Sequence, residues 1–304
     1  MMKISATNDV LMDRFGDHRA LEIMAEAGFD CVDYNFCAKF RGPDVNAMKF
    51  EGWMFRPKEE LYAFYRELKQ FADGLGIGFG QSHSPIPSLV ANHPETDATM
   101  IEVATRCIEI NAILDCPYIV IHPVHGYNVP LEHWFEVNME YFGKLAPVAK
   151  ANGVGICLEN MFLTYTYQRG AFKHLPSILA TPEDTIRYID TLNERYGEVF
   201  SYCYDVGHGN ICCSDHADFV RKLGSRLTTL HIHDNDAFDD YHLIPHLGNV
   251  KWDGFCNALK EVGYKGTFNL EADSFIAKFP PEASLEVKKL EYKVARTMVE
   301  RYGL

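Results

Sequence analysis

The run Tyr202-Cys203-Tyr204-Asp205-Val206-Gly207-His208-Gly209-Asn210 carries an apolar and aromatic stretch into a carboxylate, with a histidine three residues later. A strand ending in Asp205 and turning at Gly207 leaves both side chains on one rim. A carboxylate oxygen and an imidazole nitrogen there suit a divalent cation. By itself such a pair is more often an ordinary strand-end cap and turn. Its significance comes from other strand-like runs that end the same way, at His83, His122, Glu159, His231 and Glu271. Carboxylates and imidazoles buried side by side are costly unless a cation or hydrogen bonds compensate them. Six such ends on one rim therefore point to a metal site.

The elements that must position them alternate regularly. Residues 3–7, 31–36, 76–83, 118–123, 154–160, 227–234 and 266–271 have the length and apolar content of strands, as does the run ending at Asp205. Amphipathic spacing predicts helices over 18–27, 59–75, 96–114, 131–151, 181–196, 215–223, 252–262 and 284–302. Thr181-Pro182 supplies a cap and a first-turn proline, and Asn152-Gly153 a C-terminal stop. Eight strand–helix units predict one (β/α)₈ TIM barrel domain over 1–304, with its active site at the strand C-termini. An open doubly wound sheet would need a glycine-rich phosphate turn after the first strand, and Asn8-Asp9-Val10-Leu11 is not one. Residues 37–57 are too long for a plain connection. They set Lys39, Arg41, Lys49 and Arg56 among Phe40, Phe50, Trp53 and Phe55. This segment is either a surface insertion or a cover over a small anionic or polyhydroxy ligand, with Trp53 against that ligand.

Composition narrows the partners. A net charge of −13 disfavours nucleic acid, and 47% apolar residues suffice for a full core. Nine scattered cysteines form no Cys-x-x-Cys pair, which suggests reduced thiols in the cytoplasm. Met1-Met2-Lys3-Ile4-Ser5 opens straight into a strand, so no signal peptide is expected, and no apolar stretch is long enough to span a membrane. His125, His133, His174 and His216 fall away from the strand ends and suit surface or supporting positions. His233 shares the face of His231 if that strand continues.

His-Ser-Pro at 83–85, Ile-His-Pro at 121–123, Leu-Glu-Asn at 158–160, Asp-Val-Gly-His at 205–208, His-Ile-His-Asp at 231–234, Asp-Tyr-His at 240–242 and Leu-Glu-Ala-Asp at 270–273 occur in this order. Over nearly the whole chain the pattern resembles the xylose isomerase-like barrel superfamily, in particular its sugar phosphate isomerases and epimerases. The resemblance implies that Glu159, Asp205, His231 and Glu271 hold one divalent metal. Three oxygens and one nitrogen favour Mn²⁺ or Mg²⁺, and Co²⁺ or Zn²⁺ also fit. It further implies that Glu159 and Glu271 move protons on opposite faces of a small carbohydrate, through an enediolate, while His208 contacts a substrate oxygen. His83, His122 and His242 are further candidates to touch substrate, along with Trp53. Many barrels of this kind pair up, so a homo-oligomer is compatible.

The chain also resembles the apurinic-site endonucleases of that superfamily, at His83, His122, Glu159, Asp205, His208, His231, Asp240, His242 and Glu271. There these groups would hold three zinc ions that activate water against a phosphodiester. Against this stand the acidic charge and the lack of several basic loops. Ketose 3-epimerases in turn carry an arginine six residues after the metal histidine, where this chain has Ala237. Polyol dehydratases on the same barrel, and a non-catalytic metal- or sugar-binding barrel, complete the alternatives.

Overall fold

The computed structural model describes residues 1–40, 51–90, 93–126, 129–167 and 171–304. Its strands are β1 (Ile4–Thr7), β2 (Cys31–Asn35), β3 (Gly78–His83), β4 (Tyr118–Ile121), β5 (Gly155–Glu159), β6 (Phe162–Tyr167), β7 (Ala171–Pro176), β8 (Phe200–Asp205), β9 (Leu227–His231) and β10 (Phe268–Leu270). Eight of them form one parallel sheet in the order β10-β1-β2-β3-β4-β5-β8-β9. The two ends of that order meet through a bridge between Ile232 and Leu270. There the Ile232 N–H donates to the Asn269 carbonyl at 2.9 Å and the Glu271 N–H to the Ile232 carbonyl at 3.0 Å. The sheet thus closes into the (β/α)₈ TIM barrel that the alternation predicts.

Parallel neighbours need crossovers, and helices supply them on the outside. Lys58–Leu75 buries Leu61, Tyr65, Leu68 and Ala72, the three-and-four spacing of one helix face. Thr181 accepts the Asp184 N–H at 3.3 Å and Pro182 fills the first turn of Pro182–Tyr196. Gly153, at φ 66°, ends Trp134–Asn152 in the left-handed conformation that glycine adopts freely. No helix among the described residues is long and apolar enough to cross a membrane.

Three features depart from the expected alternation. A helix at Asp9–Phe15 precedes Asp17–Ala27. After Asp205 the chain does not turn but enters the helix Val206–Ile211, because the Asp205 carboxylate accepts the His208 N–H at 2.6 Å and caps it. Finally, β6 and β7 form an antiparallel hairpin inserted between β5 and the next helix, with Phe162 opposite Pro176. Its Phe-Leu-Thr-Tyr-Thr-Tyr run is rich in strand-favouring residues. A strict one-strand-one-helix count passes over it. Part of the expected covering segment, 41–50, lies outside the described residues.

The last helix, Ser284–Tyr302, is pinned to the barrel by a buried ion pair. Lys288 Nζ lies 2.8 Å from Glu291 Oε2 and donates to the Thr7 carbonyl at 3.1 Å, and neither side chain is more than 1% exposed. Removing one partner of such a pair strands the other charge. Glu291→Ala is therefore expected to cost about 3–5 kcal/mol, whereas the double variant Lys288→Met/Glu291→Leu should lie close to wild type. Urea unfolding of the three proteins checks this, and equal losses in single and double variants would contradict it.

Candidate metal centre

Side chains alternate along a strand, so each barrel strand sends its last inward residue to one rim. Glu159 occupies the middle of that rim, 1% exposed. Its Oε1 lies 3.2 Å from His231 Nδ1 and 3.6 Å from His208 Nδ1. Its Oε2 lies 3.3 Å from His122 Nε2 and 3.6 Å from His83 Nε2. Glu271 Oε2 approaches the same His231 Nδ1, also at 3.2 Å. Asp205 faces His233 Nε2 at 3.1 Å.

The structure therefore brings Glu159, Asp205, His231 and Glu271 together, each offering one ligand atom within 4.8 Å of the others. The same test is met by His83 with His122 and Glu159, and by His208 with His233, Asp240 and His242. In the last group His233, Asp240 and His242 follow β9, while His208 lies on the helix Val206–Ile211. Asp240 Oδ2 is 3.0 Å from His242 Nε2 and 3.4 Å from His208 Nε2, and His233 stacks on His242 with centroids 4.1 Å apart. His233 is thus fully buried inside the cluster.

Buried Glu159 Oε2, His231 Nδ1 and Asp240 Oδ1 find no hydrogen-bond partner among the described residues, although ligand atoms crowd around them. Buried ligand atoms converging on one space without a hydrogen-bond partner are the chemistry a divalent cation satisfies, so the residues present fit such an ion.

The surrounding groups orient these ligands. His83 Nδ1 is tied to the Ser84 carbonyl at 2.7 Å, which turns Nε2 toward Glu159. Asn160 bonds the Asp205 main chain in both directions at 2.8 Å, and its carbonyl holds His208 Nδ1 at 2.8 Å. Asp33, fully buried on β2, accepts N–H groups from Gln81 at 2.9 Å and Asn269 at 2.8 Å. It also faces His231 Nε2 at 3.3 Å. This carboxylate–imidazole arrangement is the usual support of a metal-binding histidine. Sequence reasoning missed Asp33, although an Asp inside an otherwise apolar strand was a signal.

Trp53 stands elsewhere. Its ring meets Phe64 edge-on at 4.7 Å, its N–H donates to the Tyr65 hydroxyl at 3.3 Å, and the Arg56 guanidinium covers it at 4.5 Å. These partners belong to the outer helical layer, and among the described residues none of its bonds is with the cluster. Of the histidines set aside from the sequence, His216 is buried against the Tyr204 hydroxyl at 2.7 Å.

The two glutamates differ electrostatically. Burial favours protonation of both. For Glu159, neighbouring His231 and His122 outweigh it and hold the carboxyl well below its usual range. For Glu271, burial aided by the Glu159 and Asp205 charges prevails over His231 and His242, and pushes it up to about 8. Burial acts against a charged His231, yet Cys203, Glu271 and Glu159 raise it well above its ordinary value.

Two outcomes follow. A cation entering the quartet displaces protons from Glu271 and His231, so Mn²⁺ affinity should rise as pH climbs from 6 to 8. Calorimetric titration at three pH values measures it, and a flat profile would contradict this protonation pattern. Asp33→Asn should weaken Co²⁺ binding by roughly 10–100-fold in competition with a chromophoric chelator; unchanged affinity would remove Asp33 from its supporting role.

Comparison with known proteins places the fold. Over 204 residues, 62% of each chain, the protein is 28% identical to MJ1311 of Methanocaldococcus jannaschii. Over 94 residues, 31% of this chain and 29% of the other, it is 30% identical to a D-psicose 3-epimerase of Enterocloster bolteae. The chain thus matches less than two thirds of the length of either relative. A crystal structure of a D-psicose 3-epimerase, determined in the presence of D-fructose, shares the fold with a TM-score of 0.71 at 15% identity, covering 98% of this chain and 99% of that one. The family model for the xylose isomerase-like TIM barrel matches residues 21–289, and the chain belongs to that family.

Proposed function

We propose that this protein is a divalent-metal-dependent sugar isomerase or epimerase that moves a proton next to a carbonyl. One observation carries the reading: Glu159 and Glu271 reach the same imidazole nitrogen, each at 3.2 Å, with opposite proton affinities. Two carboxyls with separated pKa values on one site are a ready base and acid. Glu159, ionised, would take the proton from the carbon next to the carbonyl. Glu271 would return a proton on the other face, giving the epimer, or to the neighbouring carbon, giving the isomer. His208, with Nδ1 committed to the Asn160 carbonyl and its ring edge-on to Phe162 at 4.9 Å, would present Nε2 to a substrate oxygen. His83 and His122 would line the other side of Glu159, and His242 would stand beside Asp240. A divalent cation held by Glu159, Asp205, His231 and Glu271 would offset the negative charge that grows on the substrate oxygens. The local likeness to a D-psicose 3-epimerase supports a ketose substrate. Ala237, where an arginine occurs in ketose 3-epimerases, argues that contacts beyond the reacting carbons differ.

A second reading is favoured by the two further ligand groups, which a one-metal isomerase does not need. With three cations the same rim would suit hydrolysis of a phosphodiester at an abasic site.

Elemental analysis of the purified chain together with two assays separates them. The first reading expects about one divalent ion per chain and conversion of a ketose or its phosphate. Three tightly held zinc ions with cleavage of abasic DNA and no sugar conversion would overturn it. Within the first reading, Glu159→Gln and Glu271→Gln should each lower kcat by roughly 10²–10⁴-fold with circular dichroism unchanged. Full activity in both variants would refute the acid–base assignment.

A further inference from the structure

Asp240 and His242 come from the long loop between β9 and the helix Trp252–Glu261. That loop holds three non-glycine residues at positive φ: Ala237 at 66°, His242 at 45° and His246 at 77°. Such conformations persist only where neighbouring contacts over-determine them. Here the contacts converge on one side chain. Asp234 is fully buried. Its Oδ1 accepts the main-chain N–H of Asn235 at 3.0 Å and of Val250 at 3.1 Å. Its Oδ2 accepts the N–H of His246 at 2.8 Å and the indole N–H of Trp252 at 3.1 Å. Four donors fill the lone-pair sites of an ionised carboxylate, which leaves Asp234 no capacity to bind a cation or substrate itself. Its main chain is bridged to Leu243 in both directions, at 2.7 and 3.0 Å, so the residue following His242 is clamped as well. Gly248 closes the far side: a Cβ there would lie 2.3 Å from Asp234 Oδ1 and 2.1 Å from the Asn235 carbonyl oxygen.

We infer that Asp234 is a positioning residue: by gathering the main-chain N–H groups of Asn235, His246 and Val250 onto one carboxylate, it sets the loop so that His242 stacks on His233 and Asp240 reaches His208. Nothing in the reaction touches Asp234. Its effect arrives through the shape of the loop, and matters to turnover only as far as the function proposed above holds. A plain stabilising role would act instead through Trp252 and the helix that begins there, with the loop following passively.

Asp234→Asn separates the two. A carboxamide keeps the shape, but its nitrogen cannot accept, so one pair of donors loses its partner. In the metal-free protein at neutral pH, amide exchange should quicken at least tenfold at Val250 or at His246, whichever faces the carboxamide nitrogen. The side-chain NMR signals of His242 should shift, while those of His216, anchored on Tyr204 outside the loop, stay in place. Trp252→Phe, which removes only the indole bond, should leave the His242 signals unmoved. If Asp234→Asn does not fold, Gly248→Ala decides, since its methyl presses on the same carboxylate and should shift His242 in a folded protein. Unmoved His242 signals in the folded variant overturn the proposal. So does a shift shared equally by His242 and His216, or by Asp234→Asn and Trp252→Phe. These measurements need no substrate, so a wild-type protein that converts no sugar would count against the proposed function and leave this inference standing.

Discussion

The constraint on which this molecule rests is a carboxylate held out of water among imidazoles. Glu159 is 1% exposed and lies within 3.6 Å of four histidines. Withdrawing such a charge from water costs several kcal/mol, recovered only if partners are placed well. No single strand or helix can supply four imidazoles around one carboxylate. A closed barrel can, because its strands converge and each ends with an inward side chain on the same rim. The fold is therefore the means by which an unfavourable burial becomes a binding site, and the closing bridge between Ile232 and Leu270 sits one residue from both His231 and Glu271.

Below the rim the barrel interior is unusually polar. Layers in such barrels are dominated by branched aliphatic residues, but here Asp33, Gln81, Asn269 and Ser5 form a bonded chain, with Ser5 donating to Asn269 at 2.6 Å. Lower still, Ser201 and Thr228 are joined at 2.6 Å with Cys157 alongside. Apolar filling in the middle falls to Val120, Cys157 and Cys203. Polar layers give up hydrophobic stabilisation, yet a bonded network has few alternative arrangements. It fixes His231 from behind, and His231 is the residue that both glutamates address.

What was legible in the sequence followed from periodicity. Alternation within short apolar runs gave the strand ends, the strand ends gave His83, His122, Glu159, Asp205, His231 and Glu271 on one rim, and the family resemblance singled out Glu159, Asp205, His231 and Glu271 as a ligand set. Cluster membership of His83, His122 and His208 came from the same signal. Periodicity carries no information on where a loop travels, which is why Trp53 was set beside the ligand when its indole is satisfied by Phe64 and Tyr65. Asp240 and His242, on a loop, were equally consistent with solvated side chains until the structure placed them against His208 and His233. The hairpin at 162–176 broke a counting rule rather than a physical one. His233 was read on the face of His231 on condition that the strand continues, and Asp33 was readable in principle, two residues from Asn35 on the same strand.

The two functional readings share their ligands and differ in charge. The rim holds four carboxylates, Glu159, Asp205, Asp240 and Glu271, among neutral or protonated imidazoles. With those carboxylates ionised and the imidazoles neutral, one divalent cation leaves the rim with two negative charges and three leave it with two positive. A negative rim tolerates an uncharged polyol and repels a phosphodiester; a positive one attracts it. The number of ions retained would thus select the substrate class before any contact to it is made. Occupancy of the Asp240–His242 group would in turn depend on how firmly the loop after β9 is held. On either reading, specificity in this barrel would be set at that loop, away from the carbon atoms that would react.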